Sequence, residues 1–307
     1  MSTPFCDVAF VTVNYNTRPL VEDLISFFSR TELPFSHRLV VVDNASTDGS
    51  REMLERAEGI VYLQAGENLG YGRGVNRGLR AVESRYVCVM NTDLVLNRES
   101  LTALWDLFEK NPEAGVASPV IRTSSGRQQG FVFFRPSAAA LYFDLVCRLM
   151  SKYWKVRVDL SRAPFRAPGV LGAFFMMRRS LIEGDTLFDE DFFFYYEDTD
   201  LSHRLLERGI VCYILPRVSI VHLGGQSSSP DASGALFHSS RRRYVEKHFG
   251  RARMERTRFF DRLRLRAKHL KYALLACVVK TERIKAKREY YANLARWDSE
   301  SERGGRP

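Results

Sequence analysis

Four short runs of β-branched and aromatic residues, at 8–13, 39–42, 60–63 and 86–90, punctuate the first ninety residues of the chain. Apolar runs of this length, separated by helical and turn signals, predict buried strands joined by crossovers, that is, a βαβ arrangement with a mostly parallel sheet. Between the first two runs Leu20, Leu24, Phe27 and Phe28 recur at helical spacing, and after the fourth Leu101, Leu104, Trp105 and Phe108 do the same until Asn111 and Pro112 stop the helix. In such sheets a ligand sits outside the carboxyl ends of the strands, so chemistry is expected in the segments Asn14 to Asn16, Asp43 to Gly49 and Asn91 to Asp93.

Residues 121–170 are less regular, with an apolar helical pattern at 141–150 and aromatic residues at Tyr153 and Trp154, and are expected to form a helix and loops beside the cleft. Pattern returns with an apolar run at 170–177, an acidic and aromatic block at 188–200, a helix through 204–207 and strands near 211–215 and 218–223. Gly224 and Gly225, with 227–230, read as a loop. No internal repeat is evident. At 307 residues and 45% hydrophobic, the chain is neither disordered nor collagenous, and can bury a sizeable core.

Charge is distributed unevenly. Residues 235–307 contain 21 Lys and Arg against 8 Asp and Glu, a net +13, which leaves −3 for the rest of a chain whose total is +10. Five scattered cysteines, Cys6, Cys88, Cys147, Cys212 and Cys277, include no C-x-x-C pair, which predicts a reducing compartment and no structural zinc. The N-terminus lacks a basic segment followed by a long apolar run, and the apolar stretch at 273–279 is far shorter than the ~20 residues a span requires, so a cytoplasmic location is expected.

Asp43 follows a run of valines and precedes Asn44, Ala45, Ser46, Thr47, Asp48, Gly49 and Ser50, all turn or cap formers. An ordinary strand-to-helix turn would look the same, but a carboxylate there can also accept a base imide or a ribose hydroxyl. The segment from Asn68 to Gly78 carries glycines at 70, 72, 74 and 78, which allow close backbone approach, and Arg73 offers a phosphate a cation. Val75 and Arg77 break the dinucleotide fingerprint, and no Gly-Lys-Ser/Thr makes a P-loop; the alternative is a glycine-rich connection opening a helix at 75–80. Asp93, in Asn91-Thr92-Asp93 at a strand end, is suited to hold Mg²⁺ or Mn²⁺ beside a phosphate. Glu197, Asp198 and Asp200 follow five aromatics at 192–196. They fit the dipole of a helix N-terminus, or, partly desolvated, a general base. The aromatics themselves fit an acceptor platform or core, and a lone histidine such as His222 is more often a hydrogen-bonded structural residue than a metal ligand.

Taken in order and spacing, the segments Val42 to Gly49, Asn68 to Asn76, Asn91 to Asp93 and Tyr196 to Leu201 resemble the family 2 glycosyltransferases of the GT-A fold, within them the bacterial rhamnosyltransferase-like group, from about residue 8 to residue 228. The resemblance implies an α/β GT-A fold, a Rossmann-like mixed, mostly parallel sheet flanked by helices, with a catalytic domain at 1–234 divided into a nucleotide-sugar half (1–95) and an acceptor half (96–234). It implies that Asp43 contacts the nucleobase, that Asn14, Asn16, Asn68, Gly70 and Asn76 lie at the nucleotide, and that Arg73 lies near the diphosphate. Asp93 matches the metal-binding aspartate of the D-x-D motif, whose first aspartate is here Asn91, which keeps a ribose hydrogen bond and removes a charge. Asp198 matches the catalytic base, Glu197 its motif neighbour, His222 a histidine completing the metal site, and Gly172 and Ala173 a segment lining the sugar and acceptor pocket. The implied activity is inverting transfer of a sugar, with a divalent cation (Mg²⁺ or Mn²⁺). Rhamnose from dTDP-rhamnose is the first expectation for the donor, and UDP-linked glucose, galactose or galactofuranose the alternatives. The implied acceptor is a growing cell-surface glycan or a polyprenyl-diphosphate-linked one.

The segment 235–297 reads as a basic amphipathic helical extension, with 298–307 disordered. Arg241 to Arg243, Arg262 to Arg266 and Lys268 to Leu275 alternate cations with apolar residues, which fits either a solvated helix or binding to anionic headgroups and hence a peripheral place on the inner membrane face. No RNA-binding motif accompanies the charge, so a nucleic-acid partner is not expected. A non-catalytic protein that binds polyanions or nucleotide sugars is the reading from a different class.

Overall fold

The computed structural model describes residues 5–129, 163–224, 230–279 and 281–300. The expected helix at 141–150 lies outside these. The described residues fall into two compact units, one comprising 5–129, 163–193 and 197–224, the other 194–196 and 230–300.

The first unit is built on nine strands in the order β3-β2-β1-β4-β8-β6-β9-β5, with β7 paired to β9. β1 (Cys6–Asn14), β2 (His37–Asp43), β3 (Ile60–Gln64) and β4 (Ser84–Met90) are the four apolar runs extended by a residue or two, and all their mutual pairings are parallel. Val8 to Val11 and Val40 to Val42 are wholly buried. Helix α1 (Arg18–Arg30) lays Val21, Leu24 and Phe28 on this sheet; α2 (Ser50–Leu54) is a short turn after β2. Helix α4 (Arg98–Lys110) starts where the Asn97 side chain accepts the Ser100 N–H at 2.8 Å, and buries Leu101, Leu104, Leu107 and Phe108.

Parallel character is confined mainly to that half. β8 (Phe174–Arg178) runs antiparallel to both β4 and β6 (Ala114–Thr123), while β5 (Leu94–Val95) and β7 (Phe165–Ala167) run antiparallel to β9 (Val211–His222); only β6 and β9 are parallel. Apolar periodicity carries no strand direction, so this mixture follows from pairing. The two strands expected at 211–215 and 218–223 are one strand, irregular in register opposite the step from Pro119 to Val120. A 3₁₀ turn (Arg179–Leu181) follows β8, and α5 (Glu197–Glu207) starts on its acidic residues.

Helix α3 (Tyr71–Leu79) departs from expectation. It begins four residues before the anticipated position 75, so Gly72, Gly74 and Gly78 lie inside a helix, where glycine costs about 1 kcal/mol each relative to alanine. The reason is packing. A Cβ on Gly78 would sit 2.6 Å from Val11 Cγ1, one on Gly74 2.8 Å from Val13 Cγ2, and one on Gly72 3.0 Å from Phe188 Cβ. These glycines bring the helix close to β1 and to the 188–193 segment. Only Gly70, with φ +81°, serves a turn.

The second unit contains three helices, α6 (Pro230–Phe249), α7 (Arg251–Val278) and α8 (Glu282–Glu300), packed on one another. The domain boundary expected at 234/235 falls inside α6, which opens on a proline as first turns tolerate. Asp298, where a disordered end is expected to begin, lies in α8 and is buried. Arg241 and Arg242 are buried too and do not form a headgroup patch. Arg241 Nη1 pairs with Asp261 at 3.2 Å, Arg242 pairs with Asp298, and Arg262 Nε reaches Asp298 at 2.8 Å. His238 Nδ1 stands 3.2 Å from Asp261. Buried charges persist when paired and hydrogen-bonded, and these pairs tie α6, α7 and α8 together. Tyr196 packs its ring on Phe237 and Tyr244, and Ser240 Oγ donates to the Phe194 carbonyl at 2.8 Å.

Candidate active site

The parallel ends of β1 and β2 place Asn14 in register with Asp43, and both are fully buried. A carboxylate taken out of water must be hydrogen-bonded, and Asp43 is. Its Oδ1 accepts from Asn14 Nδ2 at 2.7 Å and from Ser46 Oγ at 2.5 Å, and its Oδ2 accepts the Ser46 N–H at 3.1 Å. In this arrangement the Asp43 oxygens organise the turn after β2. Asn16 and Thr47 are exposed at this edge, joined by a 2.7 Å bond from the Thr47 N–H to Asn16 Oδ1. Asn16 and Ala45 both hold left-handed backbone, at φ +54° and +61°, a conformation disfavoured for side-chain-bearing residues and concentrated at functional sites.

Asn68 and Gly70 form a turn fastened to this edge. Asn68 Oδ1 accepts the Gly70 N–H at 3.0 Å, and Asn44 Nδ2 donates to the Gly70 carbonyl at 3.0 Å. Arg73 and Asn76 lie elsewhere. Arg73 Nε donates to the Glu190 carbonyl at 2.8 Å, which turns the expected diphosphate cation toward the 189–191 segment. Asn76 is wholly buried; its Oδ1 accepts the Leu187 and Phe188 N–H groups at 3.0 Å, and its Nδ2 donates to the Phe188 carbonyl at 2.8 Å. With its amide bonded in this way and to Glu190 Oε1 at 3.2 Å, Asn76 anchors a loop.

The remaining expected residues come together. Asp93 follows β4, and His222 ends β9 beside it through the β5 pairing. His222 Nε2 lies 3.1 Å from Asp93 Oδ1 and 3.4 Å from Asn91 Nδ2, while Asp93 Oδ2 accepts the Gly224 N–H at 3.0 Å. His222 Nδ1 lies 2.8 Å from Gln129 Oε1. An amide oxygen only accepts, so Nδ1 donates to it, and Nε2 is the ring nitrogen that faces Asp93. Asp93 and His222 are an oxygen and an imidazole nitrogen aimed at one point, a donor pair that suits Mn²⁺ or Mg²⁺ once diphosphate oxygens complete the shell. Thr17 and Thr92 tie this pair to the Asn14 edge. Thr17 Oγ1 donates to Asn14 Oδ1 at 2.7 Å, so the 2.9 Å contact with Thr92 Oγ1 uses the Thr92 proton.

Hydrogen bonds continue from there to the carboxylates of α5. The Asn91 N–H donates to the Ala173 carbonyl at 2.9 Å, the Gly172 N–H to Asp198 Oδ2 at 2.9 Å, and the Tyr71 hydroxyl to the Gly172 carbonyl at 3.0 Å. Tyr71 feels burial first and then the charges of Glu197, Asp198 and Asp93 together, which hold its hydroxyl neutral far into alkali. Glu197 and Asp198 differ in environment. Burial, and then the neighbouring Asp198 charge, push the Glu197 carboxyl up to about 8, and its Oε2 has no hydrogen-bond partner among the described residues. Burial also raises Asp198, but the Gly172 and Thr199 N–H groups and the Thr199 hydroxyl oppose it. Both carboxyls are raised, and Asp198 is the one whose hydrogen bonds favour its anion. Of the aromatics before them, Phe192 is core and Phe193 is 41% exposed.

Thr17 and Gln129 belong to this network without a sequence signal, whereas Ser46 and Thr92 lie in the expected segments with no role assigned to them. Tyr71 lies within the glycine-rich motif but carries no sign of its role there.

Residues 9–184 match Glycosyl transferase family 2, and the chain belongs to that family. It is a glycosyltransferase of GT-A type by fold and family. Its relatives narrow the comparison. The N-acetylglucosaminyl-diphospho-decaprenol L-rhamnosyltransferase of Mycobacterium tuberculosis is 27% identical over 266 residues, covering 78% of this chain and 84% of that protein. The dTDP-rhamnosyl transferase RfbF of Shigella flexneri is 24% identical over 212 residues, 67% of each. In fold, the mannosyltransferase PcManGT of Pyrobaculum calidifontis, solved with GDP-Man and Mn²⁺, superposes with a TM-score of 0.57 at 17% identity, covering 97% of this chain and 87% of that one.

Proposed function

We propose that this glycosyltransferase moves rhamnose from dTDP-rhamnose, with inversion, to a lipid-linked or growing cell-surface glycan at the cytoplasmic face of an anionic membrane. The observation that carries the catalytic part is the bond from the Gly172 N–H to Asp198 Oδ2, which fixes one carboxylate in the network that also contains Asp93 and His222. Two relatives named for rhamnosyl transfer support the donor, and one of those names includes a decaprenol-diphosphate carrier.

Asp198 takes the proton of the acceptor hydroxyl as its oxygen bonds to the anomeric carbon, and the bond to the nucleoside diphosphate breaks on the opposite face. Glu197, held up to about 8, is neutral at pH 7 and adds no second charge beside Asp198. Tyr71 and Gly172 hold that carboxylate in place, as general-base geometry requires. A divalent cation held by Asp93 and His222 would supply neutralisation of the leaving diphosphate. Asn16 and Thr47 are the exposed groups that would meet the nucleotide at the β1 and β2 edge.

Calorimetric titration with dTDP-rhamnose, UDP-sugars and GDP-sugars, each with and without Mn²⁺, tests the proposal. Metal-dependent binding in which dTDP-rhamnose is tightest is expected. Preference for a UDP- or GDP-sugar would overturn the donor, and binding that ignores Mn²⁺ would overturn the assignment of Asp93 and His222.

A further inference from the structure

Not all of the basic runs face outward on the helical unit, since Arg241, Arg242 and Arg262 are engaged in pairs with Asp261 and Asp298. What α7 does present is apolar. Phe259 is 62% exposed, Leu263 57%, Leu270 59%, Leu274 62% and Val278 82%. With Ala267 these positions are spaced 4, 4, 3, 4 and 4 residues apart, which keeps them on one face of a helix over about 29 Å at 1.5 Å per residue. Thr257, Asp261 and Leu265 mark the opposite, buried face. A continuous exposed stripe of this kind is uncommon on a protein that stays in water, where surface apolar residues are scattered singly.

Its surroundings select the occupant. α7 contains nine Lys and Arg against two acidic residues, of which Asp261 is buried. Arg266 lies along one border of the stripe and Arg253 and Lys271 along the other, all exposed. A second copy laid on this face would bring like charges together at both borders. An anionic bilayer surface meets both parts at once, taking the apolar residues into the acyl boundary and the cations at the headgroups. No helix among the described residues is long and apolar enough to cross the bilayer, which leaves lying in its interface. We infer that the Phe259-to-Val278 face of α7 is the surface by which this enzyme seats on an anionic membrane, with Leu263, Leu270 and Leu274 as its anchors and Arg253, Arg266 and Lys271 as its headgroup contacts. The inference deepens the membrane-facing part of the proposed function and rests on it for its purpose, whereas its evidence is independent of the donor and of the catalytic base.

Co-sedimentation of the full chain with vesicles of phosphatidylcholine alone, or with phosphatidylglycerol added, tests it. The wild type is expected to pellet with the anionic vesicles and to be released by salt. Leu270→Gln with Leu274→Gln, both at exposed positions, should weaken binding at least about ten-fold, and Arg266→Gln with Lys271→Gln should weaken it on anionic vesicles only. Transfer to a water-soluble acceptor should stay unchanged in both variants, which separates failure of this inference from failure of the transferase mechanism. A second measurement guards against misfolded variants. Cys277 is exposed beside the stripe. With Cys147 replaced by serine, an environment-sensitive fluorophore on Cys277 should shift to the blue when anionic vesicles are added. Wild-type protein left in the supernatant, a fluorophore that does not respond, or leucine variants that bind as well as the wild type would overturn the inference. So would leucine variants that turn a dimer into a monomer in light scattering without changing vesicle binding.

Discussion

Gly172 and Asp198 are bound in two ways: the Gly172 N–H donates to Asp198 Oδ2 at 2.9 Å, and a Cβ on residue 172 would lie 2.9 Å from Asp198 Cβ. The glycine both orients the carboxylate and leaves room for it. Gly172→Ala should therefore displace Asp198 and lower kcat by about 10²-fold while leaving donor affinity nearly intact, since a misplacement of about 1 Å at a reacting group has that scale of effect. Steady-state kinetics beside a calorimetric donor titration check this.

Glu197 gives stability a pH dependence. Its carboxyl is held up to about 8 in the folded chain, against an ordinary value of about 4.3. Between these values the unfolded chain loses the proton and the folded chain keeps it, so stability falls as pH rises through that window and levels off above it. Glu197→Gln removes the titration. It should raise the melting temperature by a few degrees at about pH 8 and hardly at all near pH 4, a difference that thermal denaturation at the two values reads directly.

Gln129 should matter to metal binding although it lies outside the first ligands. It sits 2.8 Å from His222 Nδ1 and sets which ring nitrogen faces Asp93. Gln129→Leu is expected to weaken Mn²⁺ binding about 10- to 100-fold in calorimetry, the usual cost of losing an orienting partner.

The internal glycines of α3 carry a stability prediction with no catalytic content. A Cβ at position 78 would meet Val11 Cγ1 at 2.6 Å and Val42 Cγ2 at 3.2 Å. Gly78→Ala should cost about 1–3 kcal/mol through overpacking, despite alanine's better helix propensity. Denaturant unfolding should show the loss while KM for the donor stays unchanged.

In the helical unit, burial alone would raise the Asp261 carboxyl, but the His238 bond and the charges of His238, Arg241 and Arg242 outweigh it and hold the group below the usual carboxylate range. A depressed folded value means stability that is present above the unfolded value and lost as pH falls through the folded one. Asp261→Ala should cost about 3–5 kcal/mol at neutral pH by leaving buried cations unpaired, and should blunt the acid loss of helical signal in far-UV circular dichroism.

The parts of the fold that were legible share one physical feature. Strands such as 39–42 and 86–90 are buried on both faces, so their composition alone marks them. β6 is just as buried but is built from Ala114, Gly115, Val116, Ala117, Ser118, Pro119 and Val120, residues with mostly poor strand propensity, and its identity comes from pairing with β8 and β9. Glycines in α3 read locally as a loop because the contacts that require them, to Val11 and Val13, lie some sixty residues away in the chain. Arg241, Arg242 and Arg262 read as a solvated face for the same reason, their partners Asp261 and Asp298 being 20 to 56 residues distant. At the site, motif order proposes Asp93, Asp198 and His222, whereas the partners that orient them, such as Gln129, have no local signature. Asn76 shows the converse: inside a motif, its amide is spent on positions 111 and 112 residues further on.

The central claim is that Asp198 is the base of a sugar transfer. Asp198→Asn keeps an acceptor for the Gly172 N–H and removes only the ability to take a proton. Transfer from dTDP-rhamnose to a lipid-diphosphate acceptor, measured beside the calorimetric affinity for the donor, should fall by about 10³-fold with donor affinity unchanged within about two-fold. A variant that transfers sugar at the wild-type rate would contradict the account.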